Sequence, residues 1–300
     1  MKILHIFLEE DFKASAEKGT HNFMNRTESA MSRVGYDVQY HLNSIENRTK
    51  SAGLAGYSLF HMKEPLHSRA LCFRRAYYYP FWRIETTAER WKFRVAKMPF
   101  PPRKQDADQA ERFANSMRKR HFASLNASRG GYIYMPLQGR LLERRSFQTC
   151  SPIEMIEQTL STDKKRPILA RLHPNETYSE KEIKALKSIE KKHDRFALSD
   201  APSDVLVAAC DYTVTQNSSA ALGGYFFHKP AVLFAKIDFH HIAGNVADMG
   251  LQDAFEHAQD PDKPFDKYML WFLRKTSINA GNPNAETRIL AAMRKSGWEI

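Results

Sequence analysis

The sequence predicts an α/β protein built on two parallel sheets, each covered by helices on both faces. Three observations carry that reading. Short apolar runs of strand length alternate with longer amphipathic stretches of helical period. The alternation occurs twice, on either side of a stretch from about Leu66 to Leu125 that reads as largely helical. And 300 residues, 42% apolar and 26% charged, give a globular chain room for two domains of ordinary size.

In chain order, Lys2–Leu8 reads as the first strand, followed by strands at Asp37–His41 and Tyr57–Met62. Between the first two, Phe23, Met24, Met31 and Val34 recur at helical spacing over Asn22–Val34. The polar segment PFPPRKQDAD, from Pro99 to Asp108, interrupts the long middle stretch as a loop. NASRGG follows, where Gly130 and Gly131 let the chain turn freely, and places the domain boundary so that residues 1–128 and 129–300 form the two domains. In the second half, strands are expected at Gly131–Leu137, Pro167–Leu172, Arg195–Leu198, Asp211–Thr215 and Pro230–Phe234. Helices are expected at Pro152–Leu160, Glu180–Lys192, Ser203–Ala209 and Ser219–Phe227.

Composition excludes several classes. The longest apolar stretch, Ala220–Ile237, is broken by His228, Lys229, Pro230 and Lys236, so it does not read as a membrane span. MKILHIFLEED turns acidic too soon for a signal peptide, which makes a cytoplasmic chain the expectation. Cys72, Cys150 and Cys210 are odd in number and scattered, which suggests neither a disulfide framework nor a zinc site. The net charge of +11 is uneven: residues 1–125 carry 22 Lys/Arg against 13 Asp/Glu, and residues 126–300 carry 23 against 21. An anionic partner is therefore expected to meet the first half, whether nucleic acid, an anionic membrane surface or an acidic glycan. There is no GxSxG elbow, Walker A loop, GxGxxG after the first strand, or HExxH.

In an open parallel sheet, ligands bind beyond the carboxyl ends of the strands. Three expected strands of the second half end in polar residues. YIYMPLQG ends in Gln138-Gly139, PILARLHP in His173-Pro174, and DYTVTQNSSAALGG in Gln216, Asn217, Ser218 and Ser219 before a helix of small residues. Parallel strands would bring all three ends to one edge. Ser218 and Ser219 supply hydroxyl donors suited to phosphate oxygens, though a serine there also reads as an ordinary helix cap. Pro174 pushes His173 to an extended backbone, and the capping box of Ser179 with Glu182 starts the next helix only after a loop.

YIYMPLQ, RPILARLHP and CDYTVTQNSSAALGGYFFHKPAVLF together resemble the capsule polysaccharide biosynthesis proteins. These are bacterial glycosyltransferases that add Kdo (3-deoxy-D-manno-oct-2-ulosonic acid) from CMP-Kdo. The resemblance runs from about residue 131 to 242. It is weaker in the first half, where GTHNFMNRTESAMSRVGYDVQYH is similar to an early helix and strand of that family. It implies a GT-B fold, two Rossmann-like domains with parallel sheets facing a central cleft. His173-Pro174, Asn217, Ser218 and Ser219 would then meet the nucleotide phosphate, with Gln138 nearby. No metal or other cofactor is implied. The sequence departs from the family pattern at Gly223, where a glutamate is usual, at His228, where a glycine is usual, and in the Arg140–Arg145 region, where an acid is usual. Those departures leave open another nucleotide sugar, or a non-catalytic nucleotide- or glycan-binding protein.

An inverting sugar transfer needs a base for the acceptor hydroxyl. Glu9, Glu10 and Asp11 follow the first strand, where the resemblance places such a base, and they equally suit an acidic strand-to-helix loop. From Arg74 to Lys97, arginines including Arg74, Arg75 and Arg83 interleave with aromatic residues. That pattern fits buried rings with outward arginines. It also fits an acidic or lipid-linked glycan acceptor at the inner membrane surface, and less well nucleic acid, for which no recognition motif is present. His240-His241 lacks metal-ligand spacing and reads as structural.

Overall fold

The structure, a computed structural model, describes residues 2–122, 125–260 and 262–300. The chain divides into two compact units. One comprises the chain up to Met98 together with Phe272–Ile300, and the other is Pro99–Trp271. Strands β1 (Lys2–Leu8), β2 (Tyr36–Leu42), β3 (Tyr57–His61), β4 (Ala70–Arg75) and β5 (Phe81–Glu85) belong to the first unit. The second holds β6 (Ile133–Pro136), β7 (Ile168–Arg171), β8 (Phe196–Leu198), β9 (Tyr212–Thr215), β10 (Ala231–Leu233) and β11 (Gly244–Asn245). The last strand, β12 (Ile278–Asn279), returns to the first unit.

The first sheet has the order β12-β5-β4-β3-β1-β2. Its β2, β1 and β3 are parallel, as expected, and β4 joins them in parallel; β5 alone is reversed, pairing antiparallel with both β4 and β12. The strands β4 and β5 replace the first part of the stretch expected to be helical. Leu71-Cys72-Phe73 and Phe81 through Glu85 are buried without interruption, so neither run shows the alternation that marks a strand. Among the described residues of that stretch, α-helix is confined to Arg94–Lys97 and Ala107–Phe122.

The division also differs from a boundary at residue 128. Helix Ala107–Phe122 belongs with the second unit: Phe122 at its end packs its ring on Phe227 at 5.1 Å. The C-terminal helix Ala285–Lys295 goes back to the first. Ile289, Met293 and Trp298 join Leu4, Ile6, Phe23, Leu71 and Ile84 in one buried cluster. Trp298 stacks on Tyr57 at 4.4 Å. Burying these large side chains, at about 2 kcal/mol each, ties the chain terminus to the first sheet.

The second sheet is parallel throughout, in the order β11-β10-β9-β6-β7-β8. Its core joins Ile133, Met135, Ile168, Val214 and Val232 to Met155, Ile156, Leu186 and Phe255 of the covering helices. Helices Pro152–Thr162 and Glu180–Lys192 each start in a capping box, Ser151 with Glu154 and Ser179 with Glu182. The three cysteines are free and buried, and no helix among the described residues is long and apolar enough to cross a membrane.

Candidate active site at the strand ends

In the first sheet β1 lies between β2 and β3, and in the second β6 lies between β7 and β9. Strand order therefore reverses beside β1 in the first sheet and beside β6 in the second. Such a reversal opens a crevice beyond the carboxyl ends of the strands concerned.

In the second unit, β9, β6 and β7 lie side by side and parallel, so the ends carrying Asn217-Ser218-Ser219, Gln138 and His173 share one edge. Gly139 packs beside the loop that begins at His173. A Cβ at Gly139 would fall 2.4 Å from Glu176 Oε2 in that loop. His173 is exposed, and its backbone N–H donates to the Tyr178 hydroxyl at 2.9 Å. The Asn175 N–H donates to His173 Nδ1 at 3.2 Å. With Nδ1 accepting, the neutral ring carries its proton on Nε2, which is free to donate outward.

Gln138 is partly buried, and its amide oxygen has no hydrogen-bond partner among the described residues. A buried acceptor left unmatched costs about 1–3 kcal/mol, which a bound donor would recover. Ser218 caps helix Ser219–Gly224 by accepting from the Ala220 N–H at 3.3 Å, and its own hydroxyl proton remains available. Ser219 is exposed, and neither it nor Asn217 has a side-chain partner among the described residues. Gly223 is buried within this short helix.

Sequence reasoning passed over one cation here. Arg145 sits in the loop after β6, over the Phe147 ring at 4.9 Å, and its buried Nε has no partner among the described residues. Burial and the nearby charge of Arg140 lower its pKa, and Glu176 partly opposes them. The arginines had appeared only as a departure from an acidic pattern, so nothing marked this one as a donor.

In the first unit, only Glu9 of the three acids after β1 is engaged. Glu10 and Asp11 are exposed in the first turn of helix Glu10–Glu17, where acids favour the helix dipole, and have no partner among the described residues. Glu9 precedes that helix. Its carboxylate accepts from His61 Nδ1 at 2.5 Å and from Asn43 Nδ2 at 3.1 Å. These residues follow or end β1, β3 and β2, so parallel pairing brings them together. Asn43 also donates to the His61 carbonyl at 2.8 Å. Partial burial alone would raise the Glu9 carboxyl, but the hydrogen bonds from His61 and Asn43 hold it below the usual carboxylate value. Burial against Phe12 and Phe73 lowers His61, more than Glu9 raises it, so the ring is neutral near pH 7. The pair is thus an ionised glutamate holding the Nδ1–H of a neutral histidine, with Nε2 left as a base. His61 and Asn43 were missed because they are far from Glu9 in sequence; the signal was a polar residue at each parallel strand's end.

Arg74 and Arg83 are register partners across β4 and β5, and Arg75 ends β4. Arg83 is only 4% exposed; it donates to the carbonyls of Phe272 (2.8 Å) and Thr276 (3.1 Å) and lies over the Phe272 ring. It holds the returning C-terminal segment. Arg74 donates to the Ala88 carbonyl at 3.4 Å. Arg75 is exposed, and its charge helps to depress His21 and His61, after burial. The rings of the same segment divide similarly: Phe81, Trp82 and Phe93 are buried, while Tyr77, Tyr78, Tyr79 and Trp91 are partly so. His240 and His241 bond to the Ile237 carbonyl and the Tyr268 hydroxyl. His228 takes φ 55°, the left-handed conformation that glycine adopts freely. It is held there by Asp266 at 2.9 Å and by stacking on Phe265.

These features define an α/β protein with two sheet-based units, the GT-B type of fold. Among solved structures the chain is similar to KpsC from Thermosulfurimonas dismutans, a β-Kdo 2,7 transferase. The two share 12% identity at a TM-score of 0.53, over 98% of this chain and 99% of that one. That likeness shows the fold alone. A KpsC β-Kdo 2,4 transferase from the same organism matches at 11% identity and a TM-score of 0.43, over 88% of each chain, too low to carry an argument. No protein-family model matches the chain, and no curated protein does.

Proposed function

We propose that this chain is a glycosyltransferase of capsule or related surface-polysaccharide assembly, taking its sugar from a nucleotide donor, with CMP-Kdo as that donor. The observation that carries the reading is the fixed tautomer of His173, whose outward Nε2–H lies on the same strand edge as Ser218, Ser219 and the unmatched Gln138. Such donors suit a nucleotide phosphate, and no metal is needed to neutralise it. The PLQ, HP and NSS motifs and the fold shared with a β-Kdo transferase support the choice of donor.

In this reading the second unit holds the donor and the first activates the acceptor. His61 Nε2 takes the proton from the acceptor hydroxyl while Glu9 steadies the Nδ1–H. The acceptor oxygen bonds to the anomeric carbon as the bond to the phosphate oxygen breaks, which inverts that centre. His173 and the serine hydroxyls stabilise the charge on the departing CMP. The basic first half, +9 by formal charge, suits an acidic or lipid-linked glycan acceptor and peripheral association with the cytoplasmic face of the inner membrane. Nucleic acid is not the partner in this account.

Gly223 favours a second reading, nucleotide or glycan binding without turnover, because the resemblance calls for a glutamate there to meet ribose. Release of CMP from CMP-Kdo, with and without glycan acceptors, separates the two. Acceptor-dependent release supports the transferase. Saturable CMP binding with no release supports the binding protein, and no nucleotide binding at all contradicts both.

A further inference from the structure

The opposite, amino-terminal edge of the second sheet carries a second cluster of polar groups. Arg129, Arg166, Asp211 and Pro230 come from the segments that lead into β6, β7, β9 and β10. With Tyr212, Lys229, Lys263, Asp260 and Phe265 they line a cavity of about 440 Å³. A four-residue strand spans about 13 Å, so this cavity lies at least that far from His173.

Four cations face two carboxylates in this lining, and the carboxylates do not neutralise them evenly. Asp211 is taken up by Arg166 at 2.7 Å and by the Gly131 N–H at 3.2 Å; Arg166 also bonds to Asp163 at 2.8 Å. Asp260 Oδ1 accepts from the Asp262 N–H at 2.9 Å. Lys229, 5% exposed, donates only to the Ser128 carbonyl among the described residues. Lys263, 8% exposed, has no hydrogen bond or ion pair among the described residues, and neither has the exposed Arg129. Asp211 and Asp260 act on Lys229 and Lys263 only from beyond ion-pair distance, so a bound anion would complete two largely buried lysines. Burial lowers the pKa of both, as expected for ammonium groups without such an anion.

We propose that this cavity is a second ligand site, for the phosphate group of inorganic phosphate or of a small phosphate monoester. Arg166 is satisfied by Asp163 and Asp211, which leaves Arg129, Lys229 and Lys263 to meet a phosphate. The volume exceeds that of phosphate alone, and an adjoining cavity of about 360 Å³ shares His228, Lys263 and Phe265. Its Pro264 and Phe265 give an organic substituent an apolar wall. The site is independent of the donor edge and would stand whichever reading of that edge holds.

Calorimetric titration of the full chain, in a His173→Ala background so that the donor edge does not contribute, tests this at fixed ionic strength. Inorganic phosphate should bind saturably, Lys263→Gln should weaken it at least tenfold, and Lys263→Arg should restore most of the affinity. Glucose 1-phosphate binding more tightly than phosphate would identify a monoester, and the reverse order would identify inorganic phosphate. The proposal is overturned if neither binds saturably, if Lys263→Gln and Lys229→Gln bind as well as the parent while retaining its circular dichroism, or if only vesicles containing phosphatidic acid are bound.

Discussion

The two sheets offer the same kind of crevice and fill it with different chemistry. Beside β1, the strand ends supply a titratable pair, an ionised Glu9 and a neutral His61, joined at 2.5 Å and braced by Asn43. Beside β6, they supply polar donors and acceptors: His173, whose Nδ1 accepts from the Asn175 N–H, with Gln138, Asn217 and two serines. In the proposed reading the first set moves a proton and the second holds an anion still. Topology therefore chooses the place, and the residue types at the strand ends choose the task.

The largest expected effect is on the first set. Replacing His61 by Ala should lower kcat by about 10²–10⁴-fold, the usual range for a general base, with a smaller change in KM. Because burial lowers the His61 pKa, kcat/KM should rise with pH through a value below 6.5 and stay level above it. Glu9 raises that pKa, so Glu9→Gln should move the acid limb to still lower pH. A wild-type limb above 6.5, or no limb, would remove His61 from the role.

A smaller effect concerns the scaffold beneath the second set. Asp163 accepts from the Lys165 and Arg166 N–H groups, the Arg166 guanidinium and the Tyr212 hydroxyl. Burial works against its charge, but these bonds prevail and hold the carboxyl at about 2, against an ordinary 3.8. Its folded-state pKa is depressed, so the stabilisation is present above 3.8 and is lost as pH falls toward 2. Asp163→Asn should cost about 2 kcal/mol at pH 7 by urea unfolding. That difference should shrink in the acid range; a constant difference would contradict the assignment.

The smallest effects sharpen the choice among the three acids. Glu10→Gln and Asp11→Asn should stay within about twofold of wild-type activity, since each is exposed and unpaired among the described residues. A loss comparable to that of His61→Ala would transfer the role to one of them.

The second unit was largely legible in the sequence because its strands are short apolar runs, each bounded by a turn and a helix with clear signals. Ser179 and Glu182 marked a helix start, and the parallel order then followed from the alternation. The first unit was legible only to His61. Beyond it, β4 and β5 are buried too continuously to show a period. The return of Ile289, Met293 and Trp298 to the first core is a long-range contact that no local pattern encodes. The candidate site divided in the same way. Gln138, His173 and the serines lie in one local idiom of strand, polar end and helix. Glu9 was visible as one acid among three, but its partners stand 34 and 52 residues away. Arg83 shows the opposite failure, a surface cation by its neighbours and a buried tie by its carbonyl partners.

The transferase reading requires the carboxyl edge of the second sheet to be a nucleotide-phosphate site. Calorimetric titration of CMP into the wild-type chain and into His173→Ala tests that most directly. The prediction is saturable binding by the wild type and a loss of about 10–100-fold in the variant, the worth of one charge-assisted hydrogen bond. Equal affinity in the two proteins, or no binding of CMP by either, would contradict it.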